Sequence, residues 1–194
     1  MKIKIDNKND LKKFYWLLFL YRSLIFRFVH FELEEDKYDV EPIVKALNIK
    51  NKKARITFIY QTACQQIDNY YQDKNICEFE NNKCLAQRNS NKINGCCRIC
   101  EYRTGGSCLV HNLACKLFYC DEVSQKHKIL NFNDLPILKC LNKRQRFMIK
   151  SDYFSLEKDV INDLYYGILI GTVRVSYRFL RTIIKNKKRY DAKK

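Results

Sequence analysis

Eight of the ten cysteines stand in one stretch, in the order Cys77, Cys84, Cys96, Cys97, Cys100, Cys108, Cys115 and Cys120. Thiols at this density need either a metal or a set of disulfides to explain them. A thiolate is a soft, charged ligand, and four of them satisfy tetrahedral Zn2+ or hold an iron–sulfur cluster. Cys97-x2-Cys100 has the knuckle spacing, in which the amides of a two-residue turn point at the sulfurs while both side chains reach one ion. The adjacent Cys96 and Cys97 cannot easily serve a single tetrahedral ion. The simplest arrangement is therefore two four-thiolate zinc sites interleaved through that pair, with the grouping of the other cysteines left open. His111 could replace one thiol, but it lies outside any tight ligand spacing and reads as a loop residue.

Compartment and size bear on the choice between metal and disulfides. A chain of 194 residues can bury a core without staples. The apolar run Phe14 to Tyr21 is preceded by Asp6 and Asp10, followed at once by Arg22, and has no small-x-small cleavage site. That points away from export and toward a reducing cytoplasm, where close-set cysteines bind metal more often than each other. The ferredoxin run C-x2-C-x2-C-x3-C-P is absent, and Cys96-Cys97-x2-Cys100 is only a distorted form of the radical-SAM triplet. Zinc is thus the favoured metal and an iron–sulfur cluster in electron transfer or redox enzymology the alternative. No run of 18 residues is apolar and uncharged; Phe14 to Phe31 comes nearest but contains Arg22, Arg27 and His30.

Two segments carry a resemblance. Gly95-Cys96-Cys97-Arg98-Ile99-Cys100 and Cys115-Lys116-Leu117-Phe118-Tyr119-Cys120 resemble the cysteine-cluster proteins of the YkgJ type, which are regarded as zinc or iron chelators. The likeness spans the middle quarter of the chain, and here the Cys-Cys pair precedes the C-x2-C spacing instead of following it. It implies metal binding and no particular reaction. No nucleophile elbow, Gly-rich phosphate loop or His-Glu-x-x-His motif is present, and His30, His111 and His127 are scattered.

The second chemical feature is charge. The formal net charge is +16. Residues 123–194 carry 17 basic and 6 acidic side chains, a net of +11, against +4 for residues 1–76 and +1 for residues 77–122. Two metal–thiolate centres of about −2 each would take the middle segment to about −3 and give the basic third an internal counterpart. Arg174, Arg178, Arg181, Lys185 and Lys188 follow at spacings of four, three, four and three, which makes one stripe on a helix. Such a stripe is solvated surface, or it meets nucleic-acid phosphates, an acidic protein surface or, less favoured, an anionic membrane surface.

These features need elements to hold them. Residues 8–35 are expected as one helix, capped by Asp6 or Asn7 and apolar around most of its circumference, hence buried or lying in a membrane interface. A short helix is expected from Pro42 to about Lys50. Another is expected from Asn51 or Lys52 to Tyr71, with Ile56, Ile59, Tyr60, Ala63, Cys64, Ile67 and Tyr70 on one side. The Cys-rich segment is written in turn residues: Asn81-Asn82, Asn89-Ser90-Asn91, Asn94-Gly95 and Gly105-Gly106. Leu113 to Tyr119 is the one periodic piece within it. Asp134 should cap a helix that starts with Pro136, runs through Leu141 to Phe147 and carries Cys140 into the core.

Ser155 should cap the longest helix, with Glu157 and Asp159 at its positive end and Lys185, Lys187, Lys188 and Arg189 at its negative end. Ile161, Leu164, Tyr165, Ile168, Val175, Phe179 and Ile183 oppose the basic stripe and should pack on the N-terminal helices. Gly167 and Gly171 would admit a neighbouring backbone. The architecture expected is mainly α: a bundle built from residues 1–76 and 123–194, with an irregular Cys-rich metal-binding insertion at 77–122.

Overall fold

The computed structural model describes residues 1–71, 74–78, 80–81, 83–89, 103–104, 107–108, 112–153 and 155–191. The chain is mainly helical, 65% in helices against 7% in strands, which is the expected fold class.

The N-terminus departs from expectation. Lys2–Ile5 form strand β1, paired in parallel with β2, Glu32–Asp36. The period-two alternation of Lys-Ile-Lys-Ile sends Ile3 and Ile5 into the core and the lysines outward. There Lys2 meets Glu34 at 2.8 Å and Lys4 meets Glu35 at 3.0 Å. The residues from Glu32 onward are thus strand, and the single helix over 8–35 is replaced by a shorter α1, Lys8–Leu20. Asn7 caps it, its side chain accepting from the amides of Asn9 and Asp10 at 2.9 and 3.0 Å. The helix widens into a π turn at Tyr21–Ile25 and ends there. Phe14, Leu18 and Tyr21 face inward, whereas Trp16, Phe19, Leu24 and Phe28 remain exposed, so burial covers one side of this apolar stretch.

Helix α2 spans Glu41–Asn48 with proline in its first turn. Helix α3, Lys52–Tyr70, begins at Asn51, whose side chain accepts from the Ala54 amide. Its inward row is Ile56, Ile59, Tyr60, Ala63, Cys64 and Ile67. In the Cys-rich stretch lie α4 at Leu85–Asn89, a hairpin of β3, Arg103–Thr104, and β4, Ser107–Cys108, then α5 at Leu113–Lys116 and α6 at Asp121–Lys126.

The helix expected from Asp134 to Phe147 is instead two 3-10 turns, Phe132–Asp134 and Pro136–Cys140, followed by a separate α7, Lys143–Ser151. The break falls at Leu141, which is extended, because Asn142 and Gln145 form a reciprocal capping box at 2.8 and 3.0 Å and restart the helix. Asp134 caps backward, accepting from the Asn131 amide. Arg22 secures the break by donating to the carbonyls of Lys139 and Leu141 at 2.6 and 2.5 Å.

The longest helix is also divided. Helix α8 runs Glu157–Tyr166 and α9 runs Ile168–Asp191, separated by Gly167 at φ 96, a value that L side chains rarely adopt. Helix α3 is the spine, in contact with α2, α5, α8 and the 136–140 turn. The main neighbours of α9 are α8 and α7 rather than the N-terminal helices. Gly171 permits this approach: a Cβ there would lie 2.9 Å from the Asp163 carbonyl oxygen and collide with the Met148 side chain. Cys64 and Cys140 sit in the core, where burial pushes both thiols up to about 12.

Candidate functional site

Of the eight expected metal ligands, Cys96, Cys97 and Cys100 lie outside the described residues, as does His111; of Cys108 only the backbone, in β4, is described. Cys84 is buried, and Cys77, Cys115 and Cys120 are half-buried. Among the described residues no group of three or more His, Cys, Asp or Glu side chains is placed to hold a metal.

The backbone nonetheless brings Cys77 and Cys84 to one turn. Glu80 and Lys83 exchange backbone hydrogen bonds at 3.0 and 2.9 Å across a tight turn, and the Leu85 amide donates to the Cys77 carbonyl at 2.9 Å. Cys77 and Cys84 therefore stand at the two feet of one turn despite six intervening residues. Glu78 at φ 46 and Asn81 at φ 49 supply its curvature, and for glutamate that conformation is uncommon. Cys84 immediately precedes α4, and Cys120 immediately precedes α6, where its carbonyl accepts from the amides of Val123 and Ser124. Helices α4 and α6 pack on each other.

Glu78 fastens the turn to α6. Its carboxylate meets Lys126 at 2.7 Å and His127 Nε2 at 2.9 Å, while Arg88 donates to its carbonyl at 2.9 Å. The hydrogen bonds from Lys126 and His127 hold the Glu78 carboxyl below the usual range. Cys115 lies on α5, its amide bonded to Asn112 Oδ1 at 3.0 Å. Asn112 is fully buried and donates to the carbonyls of Asp152 and Ser155 at 2.7 and 3.0 Å, and the Leu113 amide donates to Tyr60 Oη at 2.9 Å. The exit of the Cys-rich segment is thus anchored in the main core.

The basic stripe separates into two parts. Arg178 turns inward, its Nη2 2.6 Å from Asp152 and 2.5 Å from Asp163 and its Nε donating to Ser155 Oγ at 2.8 Å. Ser155 also donates to Asp152. It sits before α8 but does not cap that helix, which begins after Leu156 with no side-chain cap. Both carboxylates are 2% exposed. Burial raises the Asp152 carboxyl above its ordinary value, against the pull of Ser155 and Arg178. Burial also works against the Arg178 charge, but the two carboxylates outweigh it and raise its pKa. Arg174, half-exposed, reaches Asp163 at 3.4 Å. Arg181, Lys185 and Lys188 are exposed.

Sequence reasoning missed Asn112, Asp152 and Asp163. A signal existed for the last: Asp163 shares the i, i+3, i+4 row of Val160 and Leu164, which face the core. It also missed a second side of α9. Val173, Tyr177, Leu180 and Ile184 are 69, 64, 58 and 56% exposed, and Ile183, expected to be packed, is 47% exposed.

The fold and these residues define a mainly helical protein in which the exit of a Cys-rich segment, at α5, is anchored in the core and the last helix is basic and partly apolar. Comparison with known protein families, with curated proteins and with solved structures finds no match. No helix of the described residues is long and apolar enough to cross a membrane.

Proposed function

We propose that the protein is a metal-stabilised binding protein: thiolates of the Cys-rich segment hold structural zinc, and α9 meets an anionic partner. The observation that supports the metal reading is how few apolar side chains are buried among the described residues of this segment. Among the described residues, only Cys84, Leu85, Ala86, Ala114 and Val123 are buried outside the main core cluster. Turns, hydrogen bonds and the Glu78 ion pairs supply the rest, and structural zinc contributes folding energy where a core is too small to do so. Cys77 and Cys84, at the two feet of one turn, are the first ligands to assign, with Cys96, Cys97, Cys100, Cys108, Cys115 and Cys120 completing two sites.

On α9 the exposed cations Arg181, Lys185 and Lys188 form the surface for an anionic partner; Arg178 is the root that fixes the helix rather than part of that surface. The test is elemental analysis and absorption of anaerobically purified protein, with retention on heparin at low salt. About two zinc ions per chain, a colourless solution and salt-sensitive retention are expected. Visible charge-transfer bands would move the assignment to an iron–sulfur cluster, metal-free folded protein would end the metal reading, and absence of retention would end the anionic-partner reading.

A further inference from the structure

We infer that α9 docks on the surface of an anionic lipid bilayer, with Val173, Tyr177, Leu180 and Ile184 entering the headgroup–acyl boundary and Arg181, Lys185 and Lys188 against the headgroups. This rests on the reading of α9 as the element that meets an anionic partner; it does not depend on the metal.

The four apolar residues follow at intervals of four, three and four and occupy one row about 17 Å long. At about 100° per residue the row lies opposite Gly171 and Val175, which are buried. The helix therefore has one face on the protein and a second apolar face in solvent, with the exposed cations along the flank of the second. Lys187 and Lys188 continue the row at its distal end, where apolar residues give way to charge.

The occupant follows from what satisfies both halves of this surface. A second copy of α9 would cover the apolar row but would bring Arg181, Lys185, Lys187 and Lys188 of both chains together, with Asp191 the sole acidic residue of the helix. A polynucleotide would neutralise the cations and stack on Tyr177 at most, leaving Val173, Leu180 and Ile184 in water. An anionic bilayer takes up both, since interfacial helices combine a buried apolar face with Lys and Arg at the headgroups. The same chemistry recurs at the other end of the chain. Trp16, Phe19, Leu24 and Phe28 are exposed, up to 86% for Phe28, beside exposed Lys12, Lys13 and Arg27.

The test is flotation of the full chain with phosphatidylcholine vesicles, with and without phosphatidylserine, alongside binding to duplex DNA and RNA in the same buffers. Binding to the anionic vesicles alone is expected. The double variant Leu180→Ser, Ile184→Ser should lower it roughly tenfold or more, and each of Arg181→Gln, Lys185→Gln and Lys188→Gln about fivefold. All five side chains are exposed, so unchanged thermal unfolding checks that each variant folds. Vesicle binding that survives the apolar double variant overturns the inference. Polynucleotide binding without vesicle binding also overturns it while leaving the anionic-partner reading in place. Failure to bind either at low salt overturns both.

Discussion

Two carboxylate centres tie elements of this molecule together, and they work in opposite electrostatic regimes. At the root of α9, Asp152 and Asp163 are both buried and share Arg178. In the Cys-rich stretch Glu78 is contacted by Lys126, His127 and Arg88 near the surface, and Arg88 also pairs with Glu80. Burial drives the Asp152 pKa up, whereas the surrounding donors drive that of Glu78 down. A centre whose carboxylates are buried is costly to break and costly to ionise; a centre near the surface is neither. The first fixes the direction of a helix, and the second only sets where a turn rests.

The largest effect that would sharpen this contrast is expected from Arg178→Met. It removes the cation shared by two buried carboxylates, leaving Asp152 with Ser155 and Asp163 with the half-exposed Arg174, and should cost about 3–5 kcal/mol in chemical denaturation. A loss below about 1 kcal/mol, the scale of a surface ion pair, would erase the distinction. Next comes Cys84→Ser, which removes a buried thiolate from the proposed zinc set. Bound zinc should fall, and proteolysis should rise between Cys77 and Lys126, with a loss of about 1–3 kcal/mol. Unchanged zinc content would take Cys84 out of the set.

Asp152→Asn gives a smaller, pH-dependent difference. An acid whose folded pKa is raised contributes stability that is fully present below its unfolded value of about 3.9 and is lost as pH rises through the folded value. Wild type should therefore lose stability relative to Asp152→Asn as the solution is brought from acid toward neutrality, read as a denaturation midpoint followed across pH. A gap that widens in the opposite direction would show that Arg178 dominates burial. The smallest effect is expected from Glu78→Gln: an unaltered denaturation midpoint, with faster hydrogen exchange at the Leu85 amide. A lowered midpoint would mean that the surface centre carries global stability.

What could be read from the sequence followed from regular periodicity. The row from Ile56 to Ile67 on α3 and the proline-led α2 are as their spacing dictates. The misreadings arose where a short local signal competed with a longer pattern. Lys-Ile-Lys-Ile is a four-residue alternation, and its partner at Glu32–Asp36 could not be found without the fold. The apolar pattern ran through Gly167 and through Leu141-Asn142, but a left-handed glycine and a capping box decided both boundaries. Trp16 and Leu180 are as apolar as any core residue, and composition has no term for which side of a helix finds a neighbour. Among the candidate site residues, Arg178 belonged to the stripe by spacing alone; its inward turn required Asp152, which stands 26 residues away.

The corner at Gly167 has a mechanical consequence. Arg178 lies about three turns along one limb and grips Asp163 on the other, so the joint is braced across its inside angle. Beyond that brace the side chains described, Leu180, Arg181, Ile183, Ile184, Lys185, Lys187 and Lys188, are exposed, so this part of the limb presents a surface while the brace holds its root. Reach toward a surface is thereby decoupled from the stability of the body that carries it.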